Sequence, residues 1–325
     1  MTDPSGTDTS RPAQTRAFDM QQLSTLIDMA SPKAVHKEVL HIINLIRPQF
    51  DTEPIHRVFE FTIDLYKGQH EEYKACNTDY HNLRHITDTY LAMARLLHGA
   101  QLSNKIFSDR EIVLGLTGSL MHDTGMIQEK CDHEGTGAKY TQEHVKIGMD
   151  FVKKHAATLL LESHEITDLR DMILCTDLMA DIPAIKFSSE KIELLGKMLG
   201  TADLIAQMAD HTYLEKLLFL YHEFKEADIG NFKNEIDLLH HTLDFFEVSN
   251  KRFKETLGDT SSYMVPHLKA RWGINENLYI LSLENQRKFL EKIMTDKNKS
   301  IYQELKRENI VQKVRQKFGD TGLGE

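Results

Sequence analysis

AVHKEVLHIINLI, residues 34–46, places Val35, Val39, Ile42, Ile43 and Ile46 on one face at helical spacing. The same period recurs along the chain. Helices are expected near 54–73, 83–98, 108–122, 140–156 and 165–178, then a long one from about Ser189 to Phe224, then 233–257 and 275–298. Seven prolines in 325 residues, and no Asn-Gly or Asp-Gly turn between alternating segments, weigh against a β protein. The fold class is read as all-α. A flexible polar tail (1–20) is expected to precede one helical domain (21–298), followed by a charged C-terminal helix and tail (299–325).

Composition narrows the function classes. The chain is 41% hydrophobic and 27% charged, ordinary for a globular protein, with a net charge of −10. That charge argues against a broad nucleic-acid surface, which needs clustered Lys and Arg. It leaves room for a small anionic substrate, because a bound metal reverses the local field. Cys76, Cys131 and Cys175 are too few and too scattered for a disulfide framework or a cysteine-rich zinc site, and fit a reducing cytosol. No apolar run reaches the ~18 residues of a membrane span. The opening MTDPSGTDTSRPAQTR lacks the apolar core of a signal peptide, so a cytoplasmic protein without membrane contact is expected.

One loop stands out. DTGMIQEKCDHEGTGA (123–138) is rich in Gly and charge and follows EIVLGLTGSLMH, an almost uncharged helical stretch that must be buried. A loop dense in metal-ligating side chains therefore emerges directly from the core. The segment from Lys297 onward turns highly charged and reads as an exposed helix offering a homodimer contact.

YHNLRHITD (80–88) raises the chemical question. His81 and His85 lie four apart and share a helix face, which Asp88 joins three residues later. A solvated helix face gives the same pattern, but Ile86, Leu91 and Leu97 draw this helix inside. His122 and Asp123 are adjacent, about 100° apart on a regular helix, and converge only where the helix ends. Gly125 marks such an end, and simple helix capping explains the pair too. Asp203, in LLGKMLGTADLIAQMAD, shares the stripe of Leu195, Leu199, Ala202 and Ala206. A carboxylate buried there needs a cation or several donors. Asp177, in DMILCTDLMAD, repeats the pattern beside Ile173 and Leu174. A helix end or a buried Arg would satisfy either acid. Taken together, His85, His122, Asp123 and Asp203 form a set of two histidines and two carboxylates carried by three helices. Such N and O donors without thiolate suit Zn²⁺, Mn²⁺ or Fe²⁺, while Mg²⁺ prefers oxygens. Bundle interiors are a known place for such a site.

The ordered blocks resemble the HD-domain metal-dependent phosphohydrolases, and more closely the class I cyclic nucleotide phosphodiesterase catalytic domain. YHNLRHITD is similar to that family's YHNxxHAxDV, followed by HD at His122, ILCTD like ILATD, and TADL like ADLS, over residues 75 to 225. The resemblance implies an all-α bundle with two divalent ions between core helices. His85, His122, Asp123 and Asp203 would hold the first ion, and Asp123 would bridge to the second. A hydroxide between the ions would attack phosphorus while His81 protonates the leaving oxygen. Asn82 and Asp88 would support these residues, and His144 would lie near the second ion. The family's HDxxHPG continues here as HDTGMIQEK, with Met126 in the place of the loop histidine, for which His133 is the candidate replacement. Glu134, Glu143 and Asp177 are candidates to orient the acid or the water. No glutamine-and-aromatic purine clamp is recognised near the C-terminus. The implied substrate is a phosphodiester resembling a cyclic nucleotide. The alternatives are nucleoside mono- or triphosphates or an alarmone, as in the wider HD class, or a metal-containing signalling module without catalysis.

Overall fold

The computed structural model of the chain describes residues 23–296 and 299–319. The expected polar tail (1–20) and the last residues of the C-terminal tail (320–325) lie outside the described residues. The helices, in chain order, are α1 (Leu23–Leu26), α2 (Pro32–Ile46), α3 (Glu53–Tyr66), α4 (Leu83–Leu102), α5 (Asp109–Met121), α6 (His144–Lys154), α7 (Ser163–Leu174), α8 (Glu190–Ala209), α9 (Tyr213–Glu226), α10 (Glu235–Lys251), α11 (Met264–Trp272), α12 (Leu278–Thr295), α13 (Ile301–Glu304) and α14 (Ile310–Phe318). Among the described residues there is no strand, only an isolated bridge between Tyr73 and Glu129. The protein is all-α. No helix among these residues is long and apolar enough to cross a membrane.

Local chemistry sets the boundaries. Ser31 caps α2 by accepting from the Ala34 N–H, with Pro32 at the first helical position. Val35, Val39, Ile42, Ile43 and Ile46 are all buried. Each such side chain contributes ~1.5–3 kcal/mol against ~1 kcal/mol for the cap, so the face rather than the cap holds this helix. Ser108 and Glu111 form a reciprocal capping box that starts α5. The third helix stops at Tyr66 rather than near 73. There Gly68 turns the chain at φ +71°, with Ala75 N only 2.5 Å from where a Cβ would stand.

The long helix expected from Ser189 to Phe224 is two helices. Asp210 leaves helical geometry (ψ 131°), and its Oδ1 accepts from Thr212 N at 2.8 Å and Thr212 Oγ1 at 2.9 Å. The Asp210 carbonyl accepts from Gln286 Nε2 of α12 at 2.7 Å, tying the break to a neighbour. Helix α11 falls where no helix was expected.

Helix α4 is the axis of the molecule. Residues 85–100 are buried throughout, and α4 packs against α2, α5, α8 and α11. Its N-terminal end, the C-terminal end of α5 and the middle of α8 therefore meet inside the bundle. The C-terminal helix is not simply exposed: Ile310, Val311 and Val314 of α14 are buried, α14 packs on α9, and Phe318 stacks on His222 at 3.8 Å.

Candidate functional site

Three chain segments deliver four donors to one point. Asn82 caps α4, its Oδ1 accepting from Arg84 N at 3.0 Å and His85 N at 3.3 Å, which fixes His85 in the first turn. Asn82 thus supports His85 through the backbone. His122 closes α5, and its Nδ1 donates to the Ser119 carbonyl at 3.0 Å. A carbonyl only accepts, so Nδ1 carries a proton, and Nε2 is the atom turned towards the other three side chains. The helix ends there, and adjacent His122 and Asp123 converge. Asp203 enters from α8.

His85 Nε2 lies 3.2 Å from His122 Nε2, 3.3 Å from Asp123 Oδ2 and 3.1 Å from Asp203 Oδ1. His122 Nε2 lies 3.4 Å from Asp123 Oδ2 and 3.5 Å from Asp203 Oδ1. Ligands held ~2.0–2.2 Å from one ion in a tetrahedron sit about 3.3–3.6 Å apart, and somewhat closer in an octahedron. The spacing of His85, His122 and Asp203 fits a single divalent ion, and Asp123 Oδ2 lies beside both histidines. All four side chains are buried, and Asp123 Oδ2 has no hydrogen-bond partner. A carboxylate oxygen without a hydrogen-bond partner, beside two imidazole Nε2 atoms, is what an ion would satisfy.

The charges are strongly coupled. Burial pushes the His85 imidazole down, but Asp123 and Asp203 outweigh it and raise the pKa to about 10. Burial opposes ionisation of Asp123, yet His122, His144 and His85 hold its carboxyl well below the usual range. Asp203 is likewise lowered, against burial, by His122 and His85. Gln207 Nε2 also donates to Asp203 Oδ1 at 3.2 Å.

The second oxygen of Asp123 faces elsewhere. His144, the first residue of α6, donates from Nδ1 to the Thr141 carbonyl at 2.6 Å and sets Nε2 3.4 Å from Asp123 Oδ1. Gly125 makes this approach feasible, because a Cβ there would stand 2.0 Å from the His144 carbonyl oxygen. His81 lies alongside, its ring centroid 6.1 Å from those of both His85 and His144. Its Nδ1 pairs with Glu223 Oε2 at 2.7 Å, while Glu223 Oε1 accepts from Tyr80 N at 2.7 Å.

Other expected residues are not brought in. His133 is exposed in the loop, whose fold centres on Asp132, bonded to Lys139, Tyr140 and Gln128. Met126 is fully buried packing, so neither side chain supplies a loop histidine's donor. Asp177 lies past the end of α7, where its carboxylate accepts from Met179 N at 2.8 Å and caps a turn. Glu134 and Glu143 are exposed. It is Glu223 of α9, 142 residues from His81, that pairs with that imidazole, and no local motif signals it. Asp88 stands behind His85, lining a small cavity with it and Lys216. Burial and then Asp210 push its carboxyl up to about 7, against Lys216, Arg84 and His85.

A second donor group among the described residues, His70, Glu72 and His155, is less suited to an ion. Glu72 is exposed and paired with Lys154 at 3.2 Å, and its N–H donates to His70 Nδ1 at 3.1 Å. Comparison of the chain with family models, curated proteins and solved structures yields no match.

Proposed function

We propose that the protein is a metal-dependent phosphohydrolase that opens a phosphodiester resembling a cyclic nucleotide. The observation that carries this reading is the convergence of His85, His122, Asp123 and Asp203 beside an imidazole already paired with a carboxylate, His81 with Glu223. The four converging residues would hold one divalent ion, and Asp123 Oδ1 with His144 would address a second. Zn²⁺, Mn²⁺ and Fe²⁺ suit these mixed nitrogen and oxygen donors, while Mg²⁺ alone would prefer oxygens. Bound ions supply the positive charge that acidifies water and neutralises phosphate oxygens.

The chain's own residues account for the leaving group. Glu223 accepts the Nδ1–H of His81, which fixes the ring and would stabilise the imidazolium whose Nε2–H is the transferable proton. As the P–O bond breaks, that proton passes to the departing oxygen. Tyr80 N–H holds the other Glu223 oxygen, so the carboxylate is not free to turn away. Met126, in place of a loop histidine, favours as the second reading the hydrolysis of nucleoside mono- or triphosphates by the same residues.

The test is a hydrolysis screen of metal-loaded protein against cyclic nucleotides, model diesters and nucleoside phosphates, with elemental analysis of the same sample. Ring opening yields a nucleotide without free phosphate, which separates the two readings. His81→Ala should lower turnover by about 10²–10⁴-fold with metal content unchanged. Loss of metal in that variant would refute the acid role. Bound metal without turnover on any phosphate would point to a signalling module, and absence of bound metal would overturn the reading.

A further inference from the structure

A cavity of about 360 Å³ opens between the segment 23–30, α4, α8 and α12. Leu23, Ile27, Leu278 and Leu281 supply apolar lining, and Arg95 of α4 contributes a cation that is only 1% exposed. One end of that guanidinium is engaged. Nη1 donates to the Tyr279 hydroxyl at 2.7 Å. The rings of Trp272 and Tyr279 lie 5.5 and 5.7 Å from Cζ. Nε and Nη2 have no hydrogen-bond partner, and these two N–H groups form one edge of the planar fork. That edge matches a carboxylate bidentately.

No carboxylate among the described residues pairs with Arg95. The other arginines on the cavity wall are already engaged: Arg84 by Asp210 and Glu308, Arg307 by Glu215. The neighbouring His267 stays neutral, since burial and then Arg95 push its imidazole down to about 2. A buried cation without a counter-ion is strongly unfavourable, and an anion from solution is the direct remedy.

We propose that this cavity binds a small monocarboxylate with an apolar body, its carboxylate taken side-on by Nε–H and Nη2–H of Arg95. Asp88, Asp210 and Glu308 line the same cavity without pairing with Arg95, and they repel a dianionic phosphate more strongly than a singly charged group. The lining fits an aliphatic or aromatic body. This site does not depend on the proposed hydrolysis.

Trp272 is the only tryptophan and stands over the guanidinium, so its emission reports occupancy. The full chain is titrated with butanoate, hexanoate, octanoate and octanamide, followed by Trp272 fluorescence and calorimetry. Octanoate is expected to bind at least about tenfold more tightly than octanamide, and affinity should rise with chain length. Arg95→Met should weaken octanoate by at least about tenfold while leaving octanamide unchanged. Ser282→Phe, which narrows the cavity without touching the guanidinium, should weaken both. Equal binding of acid and amide, retention of octanoate binding by Arg95→Met, or no binding of any carboxylate up to about 10 mM would overturn the proposal.

Discussion

Metal uptake should be coupled to proton release, in an amount the geometry sets. In the metal-free chain His85 is charged up to about pH 10, and its Nε2 faces Asp203 Oδ1 at 3.1 Å and Asp123 Oδ2 at 3.3 Å. The proton on that nitrogen sits where an ion would sit, so an ion can take the lone pair only by expelling it. Both carboxyls are held low and stay ionised, so they release nothing. One proton per ion means an affinity that rises about tenfold per pH unit, ~1.4 kcal/mol, or about a hundredfold between pH 6.5 and 8.5. Titration of the metal-free protein with Mn²⁺, by calorimetry in two buffers of different ionisation heat, counts the protons directly. His85→Gln should abolish the release. An affinity that stays flat over those two units, with no proton released by the unaltered chain, would refute the assignment of His85 as a ligand. The same proton has a stability signature. A raised folded-state pKa contributes fully below about pH 6.5, and that contribution is lost as the pH rises towards about 10.

Three further outcomes are expected. Glu223→Gln should lower turnover by about 10–100-fold with metal content intact, because it loosens His81 without touching a ligand; unchanged kinetics would detach Glu223 from the reaction. Gly125→Ala forces a methyl against the His144 carbonyl and should destabilise the fold by about 1–3 kcal/mol in urea titrations. A variant as stable as the parent would show that the loop yields more easily than its packing implies. Asp210 is buried and its carboxyl is lowered, against burial, by His211, Lys216 and Arg84, so its contribution is present above about pH 4 and lost below it. Asp210→Asn should cost about 3–5 kcal/mol at pH 7 and flatten the acid limb of the stability profile; an unchanged acid limb would assign that limb to other carboxylates.

Residues that act within one helical turn could be read from the sequence, and residues that act across the fold could not. The α2 face and the end of α5 at His122–Asp123 are local, and both follow from periodicity and from Gly125. Asp203 was conspicuous because a carboxylate interrupts an apolar stripe, and it is one of the converging donors. Asp177 carries the same signal but serves a turn, since the helix has already ended at Leu174. The break at Asp210 escaped notice because apolar spacing continues across it while the cause, an Asp side chain folding onto Thr212, is conformational. The burial of α14 was hidden by the charged residues within and around it, Lys313 and Arg315 among them. Glu223 reaches His81 only after α9 has docked.

Tyr80 has a consequence for error tolerance. Its hydroxyl donates to Gln207 Oε1 at 2.7 Å, and Gln207 in turn reaches Asp203; its backbone N–H holds Glu223, and Glu223 holds His81. The donor cluster and the His81–Glu223 pair are thus both referenced to one residue. A small displacement of the segment that carries Tyr80 shifts both sides in the same direction and leaves their separation nearly unchanged, as a shared datum does in a jig. Variation around that segment is therefore tolerated as long as Tyr80 keeps both grips, and Tyr80→Phe, which releases only the hydroxyl, converts a shared displacement into a relative one.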